Sequence, residues 1–591
     1  MSASQPLWDL TNYFPSIESS EFQTEFESVT KAATEMLAGF DDLDIRAGDP
    51  IPFSNELVTK AESVLENHES VVRRANLIRA YLSSFVTTDS TNELALGKSS
   101  EFQSVLQTLG MIGTRLTAWV GRLPIDELCN ASELAQAHRY GLERLQTSAT
   151  KLMSESEETL ATEMEESGSG AWGRLYGNYT SQIKVEFDGQ EHAISAIRTF
   201  AYDDNQDVRK RAYEKELATW KEHELVIASA MNSIKYESAL LRKKRGWEDV
   251  LSDALFATAI DRDTLSAMLQ AAQDSFPIFR RYMRAKSKAL GNEGALPFYD
   301  LFAPLGDGGS WTYEEAKSFV SEGFYAFSDR MGDLATRSYN ENWIDVPPKP
   351  GKRDGAFCMG TVPGESRILM NFKPSFGSVA TLAHELGHAY HNLCLKDRTA
   401  LQSQLPMTLA ETASIFCETI IKRRAIASTS GSEKLAILEA SLQGANQVVV
   451  DITSRYLFET DVFAKRKERE LSATELCSSM ESAQKATYGD GMDPEFLHPY
   501  MWAVKPHYYA WRSFYNYPYM FGMLFGLGLY AVYEAEPNGF QDRYDALLSE
   551  TGMADAASLG ERFGIDIRKK EFWAESLKVI EQDVAEFEKL V

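Results

Sequence analysis

The sequence predicts a mostly α-helical protein that carries one small β-sheet. Long segments place apolar residues at spacings of three and four, which is the period of an amphipathic helix. Short apolar or alternating runs bounded by turn residues, typical of strands, are found at residues 181–194 and 366–372. With 591 residues, of which 44% are hydrophobic, the chain can bury a large core.

The first part of the chain is predicted to be all-helical. Residues 19–40, 55–85 and 133–153 each show the helical period. Four glycines then lie between residues 168 and 177, and the alternating run 181–194 around Asp188-Gly189 predicts a short hairpin. We therefore expect a domain boundary near residues 165–190. It divides the chain into an N-terminal helical region, 1–190, and a second region, 191–591.

The second region begins with two further amphipathic segments, residues 207–241 and 262–290. Residues 355–366 are rich in turn formers and predict a loop, and the apolar run that follows predicts a strand at 366–372. We expect Ser378 to cap a helix that continues through residue 395. Another helix is expected to open at Pro406.

The composition excludes several classes of protein. Lys and Arg number 60 against 86 Asp and Glu, and the net charge of −26 disfavours binding to nucleic acid or anionic membranes. Five scattered cysteines are too few for a disulfide scaffold and suit a reducing compartment. No Lys or Arg precedes Lys31, so the basic start of a targeting segment is missing. We expect a cytoplasmic protein.

Residues 513–533 carry no charge and leave two interpretations open. The run is long enough to span a membrane, and Gly522 and Gly526 form a GxxxG pair. Its first third contains Asn516, Pro518 and three tyrosines, which leaves an apolar run of about 14 residues. That length favours a buried helix of a large protein, in which the glycines allow close packing.

The sequence His384-Glu385-Leu386-Gly387-His388 matches the pattern H-E-x-x-H within a predicted helix. The two histidines lie one turn apart on the same side, so both imidazoles can reach one Zn²⁺. Glu385 sits to the side, from where its carboxylate can act as general base on a water activated by the metal. The alternative is a coincidence, with two histidines on a solvated helix.

A catalytic zinc usually takes three protein ligands, and the spacing leaves the third open. His391 lies about 10.5 Å along the helix from His384, too far to share the ion. We expect it either to support the site from behind the ligands or to be a hydrogen-bonded partner within the cleft. Glu411 and Glu418 lie nearly on one face of the next helix, so that one could bind zinc and the other orient a histidine. Thr408 to Glu411 also fits a capping box, in which Glu411 would only bond backbone.

A third cluster, at residues 498–522, contains His498, His507 and six tyrosines. Imidazole N–H and phenol O–H groups are donors that can stabilise an oxyanion or hold a peptide carbonyl. An aromatic core is the simpler interpretation of such a run.

At this point the chain resembles the M3 peptidases, and within them the oligoendopeptidase F type. The resemblance rests on the order and spacing of residues 6–22, 355–372, 381–391, 409–418 and 505–522. It therefore extends over nearly the whole chain. The fold it implies is a mostly helical ellipsoid with a deep channel between the N-terminal region and the catalytic half, and such a channel admits only short unstructured peptides.

The resemblance also implies a role for each motif residue. One Zn²⁺ per chain would be held by His384, His388 and Glu411, with Glu385 as general base. Glu418 would support the site. His507 and a tyrosine, Tyr519 or else Tyr515, would stabilise the tetrahedral intermediate. The strand at 366–372, before the HExxH helix, would pair with substrate backbone.

We therefore expect a zinc-dependent oligoendopeptidase that cuts internal bonds of short peptides. Two alternatives remain. A zinc carboxypeptidase of related helical fold would trim chain ends instead. A non-enzymatic helical scaffold that binds peptides would contain HELGH by coincidence and hold no stoichiometric metal.

Overall fold

The computed structural model describes residues 5–510 and 512–591, and helices dominate this part of the chain. The helices are, in chain order, α1 (Ser20–Asp42), α2 (Asn55–Thr88), α3 (Glu93–Val120), α4 (Ile125–Ala131), α5 (Glu133–Ala137), α6 (Arg139–Ala149), α7 (Glu155–Glu165), α8 (Ser169–Gln182), α9 (Ile194–Ile197), α10 (Gln206–Lys244), α11 (Val250–Ala257), α12 (Arg262–Ala289), α13 (Tyr313–Phe327), α14 (Asp329–Asn340), α15 (Phe376–Cys394), α16 (Met407–Ala410), α17 (Thr412–Ser428), α18 (Gly431–Asn446), α19 (Ile452–Arg466), α20 (Ala473–Tyr488), α21 (Met501–Val504), α22 (Tyr517–Ala535), α23 (Phe540–Ser549), α24 (Ala556–Phe563) and α25 (Lys570–Glu588). The mostly helical class is confirmed.

The amphipathic segments of the sequence correspond to four of the long helices, α1, α2, α10 and α12. Residues 133–153, which also show the helical period, are helical as predicted but form two helices, α5 and α6. His138 between them has φ −104° and ψ 7° and interrupts the helical path.

The predicted hairpin is confirmed. Strands β1 (Lys184–Phe187) and β2 (Gln190–Ala193) pair in antiparallel register across a two-residue turn. Asp188 and Gly189 both have positive φ, 49° and 75°. Such a turn matches the twist of the two strands, and aspartate followed by glycine tolerates this backbone better than most residue pairs.

A second sheet lies beside α15 and has the order β3-β5-β4. Its strands are β3 (Ile344–Asp345), β4 (Phe357–Gly360) and β5 (Ser366–Leu369). Strand β5 runs parallel to β3 and antiparallel to β4, and β4 and β5 pack against α15. The strand predicted from 366–372 is therefore present over its first four residues. The loop predicted over 355–366 is wrong in its first half, where β4 forms.

The N-terminal segment is tied to this sheet by backbone contacts. The amide of Val346 donates to the carbonyl of Pro6 at 3.0 Å, and the amide of Asp9 donates to the carbonyl of Asn342 at 2.8 Å. From β5, the buried Arg367 donates through Nε to the carbonyl of Asp9 at 2.8 Å. These bonds anchor the start of the described chain next to the strands that precede α15.

The buried apolar residues form three clusters. Two of them use residues between 10 and 142, and the largest begins at Tyr176 and continues to Phe587. The division of the core thus falls between residues 142 and 176. The domain boundary near 165–190, with regions 1–190 and 191–591, stays a prediction.

Helix α22 is a packed interior helix. A Cβ placed on Gly522 would lie 2.7 Å from Cβ of Glu411, and one on Gly526 would lie 2.8 Å from the side chain of Ile415. The two glycines therefore let α22 approach the segment Glu411 to Ile415 closely, as the buried interpretation of 513–533 requires. Among the helices of the described residues, none has the length and apolar character needed to cross a membrane.

Candidate active site

The HExxH residues lie on α15 as predicted, but the start of that helix differs. Its N-cap is Ser375 and not Ser378, which lies inside the first turn. Oγ of Ser378 instead accepts a hydrogen bond from the amide of Lys373 at 3.0 Å, and so holds the incoming loop. The apolar stripe behind the motif is buried, with Leu382 and Leu386 fully inaccessible.

The following helix is interrupted at Glu411. Helix α16 ends before this residue and α17 begins after it, with Glu411 at φ −91° and ψ 2°. The capping-box interpretation is wrong, because Glu411 makes no capping bond and the hydroxyl of Thr408 donates to the carbonyl of Thr258. The break turns the carboxylate of Glu411 toward α15.

The two imidazoles and this carboxylate meet at one place. Oε2 of Glu411 lies 3.3 Å from Nε2 of His384 and 3.4 Å from Nε2 of His388. The ligand atoms of the three residues all lie within 4.8 Å of one another. Ligands bound tetrahedrally at about 2.0–2.1 Å stand roughly 3.4 Å apart, so the spacing fits one zinc ion.

Glu418 sits behind the first histidine. Its Oε2 lies 3.0 Å from Nδ1 of His384, and its Oε1 lies 2.6 Å from Nζ of Lys422. Although burial opposes it, the charge of Lys422 and the hydrogen bond from His384 lower the pKa of Glu418 to about 2, so it stays ionised. A carboxylate at Nδ1 fixes the ring with its proton on that nitrogen and leaves the Nε2 lone pair for a metal.

Ser414 supports the third ligand, a role that spacing did not indicate. Its hydroxyl donates to Oε2 of Glu411 at 2.7 Å, and the residue is fully buried. A serine three residues after the ligand is the only signal in the sequence, and it is too common to be diagnostic.

Gly387 of the motif sets the distance between α15 and α17. A Cβ placed there would lie 2.6 Å from Cα of Ser414 and 2.7 Å from the carbonyl oxygen of Ala413. Both are backbone atoms and cannot move away by a side-chain rotation. Only glycine at 387 allows α17 to approach closely enough for Glu411 to reach the two histidines.

We expect Gly387→Ala to destabilise the fold by about 1–3 kcal/mol, the usual cost of overpacking a tight interface. Urea unfolding would measure this. Gly377→Ala on the same helix is the matched control, because a Cβ there meets nothing nearer than Oγ of Ser375 at 3.7 Å. Equal stability of the two variants would contradict the account.

Glu385 is buried beside the three ligand candidates but does not join them. It is 5% exposed, and its Oε2 has no hydrogen-bond partner within residues 5–510 and 512–591. Burial raises its pKa, which brings the carboxyl closer to the range useful for a base at neutral pH. Burial and then the charge of Glu385 raise the pKa of Cys358 on β4, so the carboxyl lies near that strand.

Of the aromatic cluster, His507, Tyr515 and Tyr519 come together. The ring of His507 stacks on Tyr515 with centroids 5.3 Å apart and lies 6.1 Å from the ring of Tyr519. Burial and then Tyr515 raise the pKa of Tyr519 to about 12, and the carboxylate of Glu411 acts in the same direction. Of the three residues, Tyr519 is therefore the one close enough to the candidate ligand Glu411 to feel its charge.

The other members of the cluster are structural. His498 is fully buried, with Nε2 3.4 Å from Oε1 of Glu216. Tyr508 and Tyr509 are buried, and the hydroxyl of Tyr509 donates to the carbonyl of Trp502 at 3.0 Å. The aromatic-core interpretation describes these residues.

His391 has a partner away from the candidate ligands. Its Nε2 lies 2.8 Å from the hydroxyl of Thr551, which itself donates to the carbonyl of Leu548. The imidazole therefore donates through Nε2, and its buried Nδ1 has no partner in the described residues to accept a second proton's bond. Burial, followed by the charge of His388, lowers its pKa to about 3.

We expect His391 to make stability depend on pH. Its pKa is near 6.5 in the unfolded chain and about 3 in the folded one, so between these values the unfolded chain binds more protons. The free energy of unfolding therefore has its full value above about pH 6.5. It decreases as the pH falls below that, by at most about 1.4 kcal/mol per pH unit. His391→Gln keeps a donor for Thr551 and should lose less stability between pH 6.5 and 4.5 in urea unfolding. Parallel pH profiles would rule the effect out.

Two family profiles match the chain. That of peptidase family M3 matches residues 199–579, and that of oligopeptidase F matches residues 124–184. Oligopeptidase PepF of Bacillus subtilis is 23% identical over 99% of this chain and 87% of its own length. Group B oligopeptidase PepB of Streptococcus agalactiae is 24% identical over 99% of this chain and 97% of its own.

Solved structures share the fold. A crystal structure from Chlamydophila abortus superimposes with a TM-score of 0.83 at 18% identity and covers 99% of this chain and 98% of that one. Oligoendopeptidase F from Enterococcus faecium gives a TM-score of 0.67 at 17% identity, with 96% and 98% covered.

Proposed function

Because the chain belongs to peptidase family M3 and is a metalloendopeptidase, we propose that it is a zinc-dependent oligoendopeptidase that cuts internal bonds of short unstructured peptides. One observation carries the proposal. Glu411 places a single oxygen 3.3 and 3.4 Å from the Nε2 atoms of His384 and His388, and Oε2 of the adjacent Glu385 has no partner in the described part of the chain.

His384, His388 and Glu411 would hold one Zn²⁺ per chain. When bound, zinc supplies a positive charge that lowers the pKa of a water molecule and polarises the scissile carbonyl. Glu418 and Ser414 keep the ligand side chains in place through their bonds to His384 and Glu411.

Glu385 is the proposed general base. Its carboxylate takes a proton from the attacking water and then delivers that proton to the leaving amine. Burial favours this exchange, since a raised pKa makes the carboxyl both a stronger base and an adequate acid near neutral pH.

His507 and a tyrosine are the proposed donors to the oxyanion of the tetrahedral intermediate. Burial, followed by the charges of Arg455 and Lys505, lowers the pKa of His507 to about 4, so a neutral ring donates its one N–H. The raised pKa of Tyr519 keeps its hydroxyl protonated as a donor.

We expect Tyr519→Phe to lower kcat by roughly 10²-fold or more, the usual effect of losing one oxyanion donor. Tyr515→Phe should cost less, because its ring stacks on His507 and Phe keeps that contact. Steady-state kinetics of the two variants on one peptide tests this. A larger loss in Tyr515→Phe would reverse the assignment.

The strand proposed to bind substrate backbone is β4 and not β5. The expectation from 366–372 is wrong, because β5 pairs with β3 on one side and with β4 on the other and has no open edge. Strand β4 has only β5 as a neighbour in the sheet of the described residues, and Glu385 lies close to its Cys358. An extended peptide added to β4 would run past the base.

We further propose that residues 1–190 cover the channel and residues 191–591 perform the catalysis. All the candidate site residues belong to the second region.

A peptide blocked at both ends separates the proposal from its alternatives. Internal cleavage excludes an enzyme that trims chain ends, and a purified protein without stoichiometric zinc would indicate a scaffold.

A further inference from the structure

Lys505 carries a charge that has no partner among the described residues. It lies two residues before His507, at the start of the short 3₁₀ turn Pro506–Tyr509, and its side chain is partly buried. Within residues 5–510 and 512–591 its ammonium has no hydrogen-bond acceptor and no carboxylate at ion-pair distance. A partly buried ammonium without a partner is unusual, because burial penalises the charged form.

The charged groups around Lys505 do not compensate it. Arg198 pairs with Glu216 at 2.9 Å, and Arg455 pairs with Asp451. Each carboxylate thus already has its own arginine, and Lys505 is the third positive charge beside two negative ones. Burial and then Arg455 lower its pKa to about 7, as expected for an ammonium that lacks a counterion.

A second observation concerns Asn516, which is 2% exposed. Its Oδ1 accepts from Nη1 of Arg455 at 3.3 Å, while its Nδ2 has no partner within the described chain. Nε of the same arginine is also buried without an acceptor. The unfilled groups on Arg455 and Asn516 are donors like the ammonium of Lys505, but both are enclosed. Of the three, Lys505 is therefore the group that can reach a ligand, and that ligand must supply acceptors.

This group of residues adjoins the proposed oxyanion donors. The charges of both Arg455 and Lys505 lower the pKa of His507, and the charge of Arg455 also acts on Tyr519. Because Lys505 caps the same short turn and precedes His507 by two residues, a ligand held by Lys505 would lie within reach of a peptide whose scissile bond is at His507.

Resting on the proposed function, we propose that Lys505 binds a carboxylate of the peptide substrate. The carboxylate is either the free C-terminus or an acidic side chain, since both present the same two acceptor oxygens. Lys505 is then a residue that determines specificity, in a protein whose net charge of −26 would otherwise repel acidic peptides.

The test compares three forms of one internally quenched peptide on the zinc-loaded full chain. The first has a free C-terminal carboxylate, the second a C-terminal amide and no acidic residue, and the third the amide with one glutamate placed in turn on each side of the scissile bond. We expect the wild type to have about tenfold higher kcat/KM on one carboxylate form than on the neutral amide, mainly through KM.

In Lys505→Met the ratio of kcat/KM on the preferred carboxylate form to kcat/KM on the neutral amide should fall to about one. Lys505→Arg should keep a preference for the carboxylate form. Lys31→Met is the matched control, because Lys31 is 74% exposed and lies on α1, and its ratio should equal that of the wild type. If circular dichroism shows Lys505→Met to be unfolded, Lys505→Gln replaces it in the same comparison.

A preference for the free end assigns the terminus, and a preference for the glutamate form assigns a side chain. Either preference supports the inference if Lys505→Met, or the Lys505→Gln that replaces it, loses that preference. Equal rates of the wild type on all forms, or a preference that this variant retains, would overturn the inference. No cleavage of any form by the zinc-loaded wild type would overturn the proposed function as well. Cleavage of the neutral amide shows that the proposed function holds, so the two failures can be told apart.

Discussion

Glu385→Gln is expected to retain zinc and to lose roughly 10²–10⁴-fold in kcat, the range attributed to a general base. The carboxyl is buried beside His384, His388 and Glu411 and shares no bond with them, so the amide leaves the ligand set intact. Glutamine has almost the same shape but cannot accept the proton of the attacking water. The measurement is kcat on a quenched peptide together with zinc content per chain.

The two readouts together decide the role of Glu385. A variant that has lost zinc would show a structural role and not a catalytic one. A variant that holds zinc and keeps more than about a tenth of the wild-type turnover would exclude Glu385 as general base.

Glu411→Ala is expected to abolish stoichiometric zinc binding and, with it, turnover. The change removes the carboxylate oxygen that lies 3.3 and 3.4 Å from the Nε2 atoms of His384 and His388. Alanine keeps the Cβ against which Gly522 of α22 packs, so the surrounding helices should remain in place. Zinc per chain after dialysis against a weak chelator measures the effect.

Two further variants serve as comparisons for Glu411→Ala. Glu418→Gln leaves the ligands but weakens the bond at Nδ1 of His384, and should cost about 10–100-fold in zinc affinity. Glu468→Ala, at an exposed position between α19 and α20, should bind zinc as the wild type does. Normal zinc content in Glu411→Ala would remove Glu411 from the ligand set.

The residues on α15 were predictable because the helical period is local. An apolar stripe at spacings of three and four places His384 and His388 on one side whatever the rest of the chain does. The role of Glu411 could not be derived in this way. It depends on the break between α16 and α17 and on the close approach at Gly387 and Gly522, both of which are tertiary contacts.

Strand β4 illustrates a different limit. Phe-Cys-Met-Gly lies between glycines and a proline and carries no alternation, so only its pairing with β5 defines it as a strand. Local sequence likewise cannot separate His498 from His507, since both stand in one aromatic run. The fold places the first beside Glu216 and the second beside Tyr515 and Tyr519.

The most direct test of the central claim is hydrolysis of a doubly blocked, internally quenched peptide of about eight residues, before and after removal of metal by a chelator and after restoration of zinc. The account predicts internal cleavage that the chelator abolishes and that about one equivalent of Zn²⁺ per chain restores. Cleavage that persists in protein shown to be free of metal would contradict it.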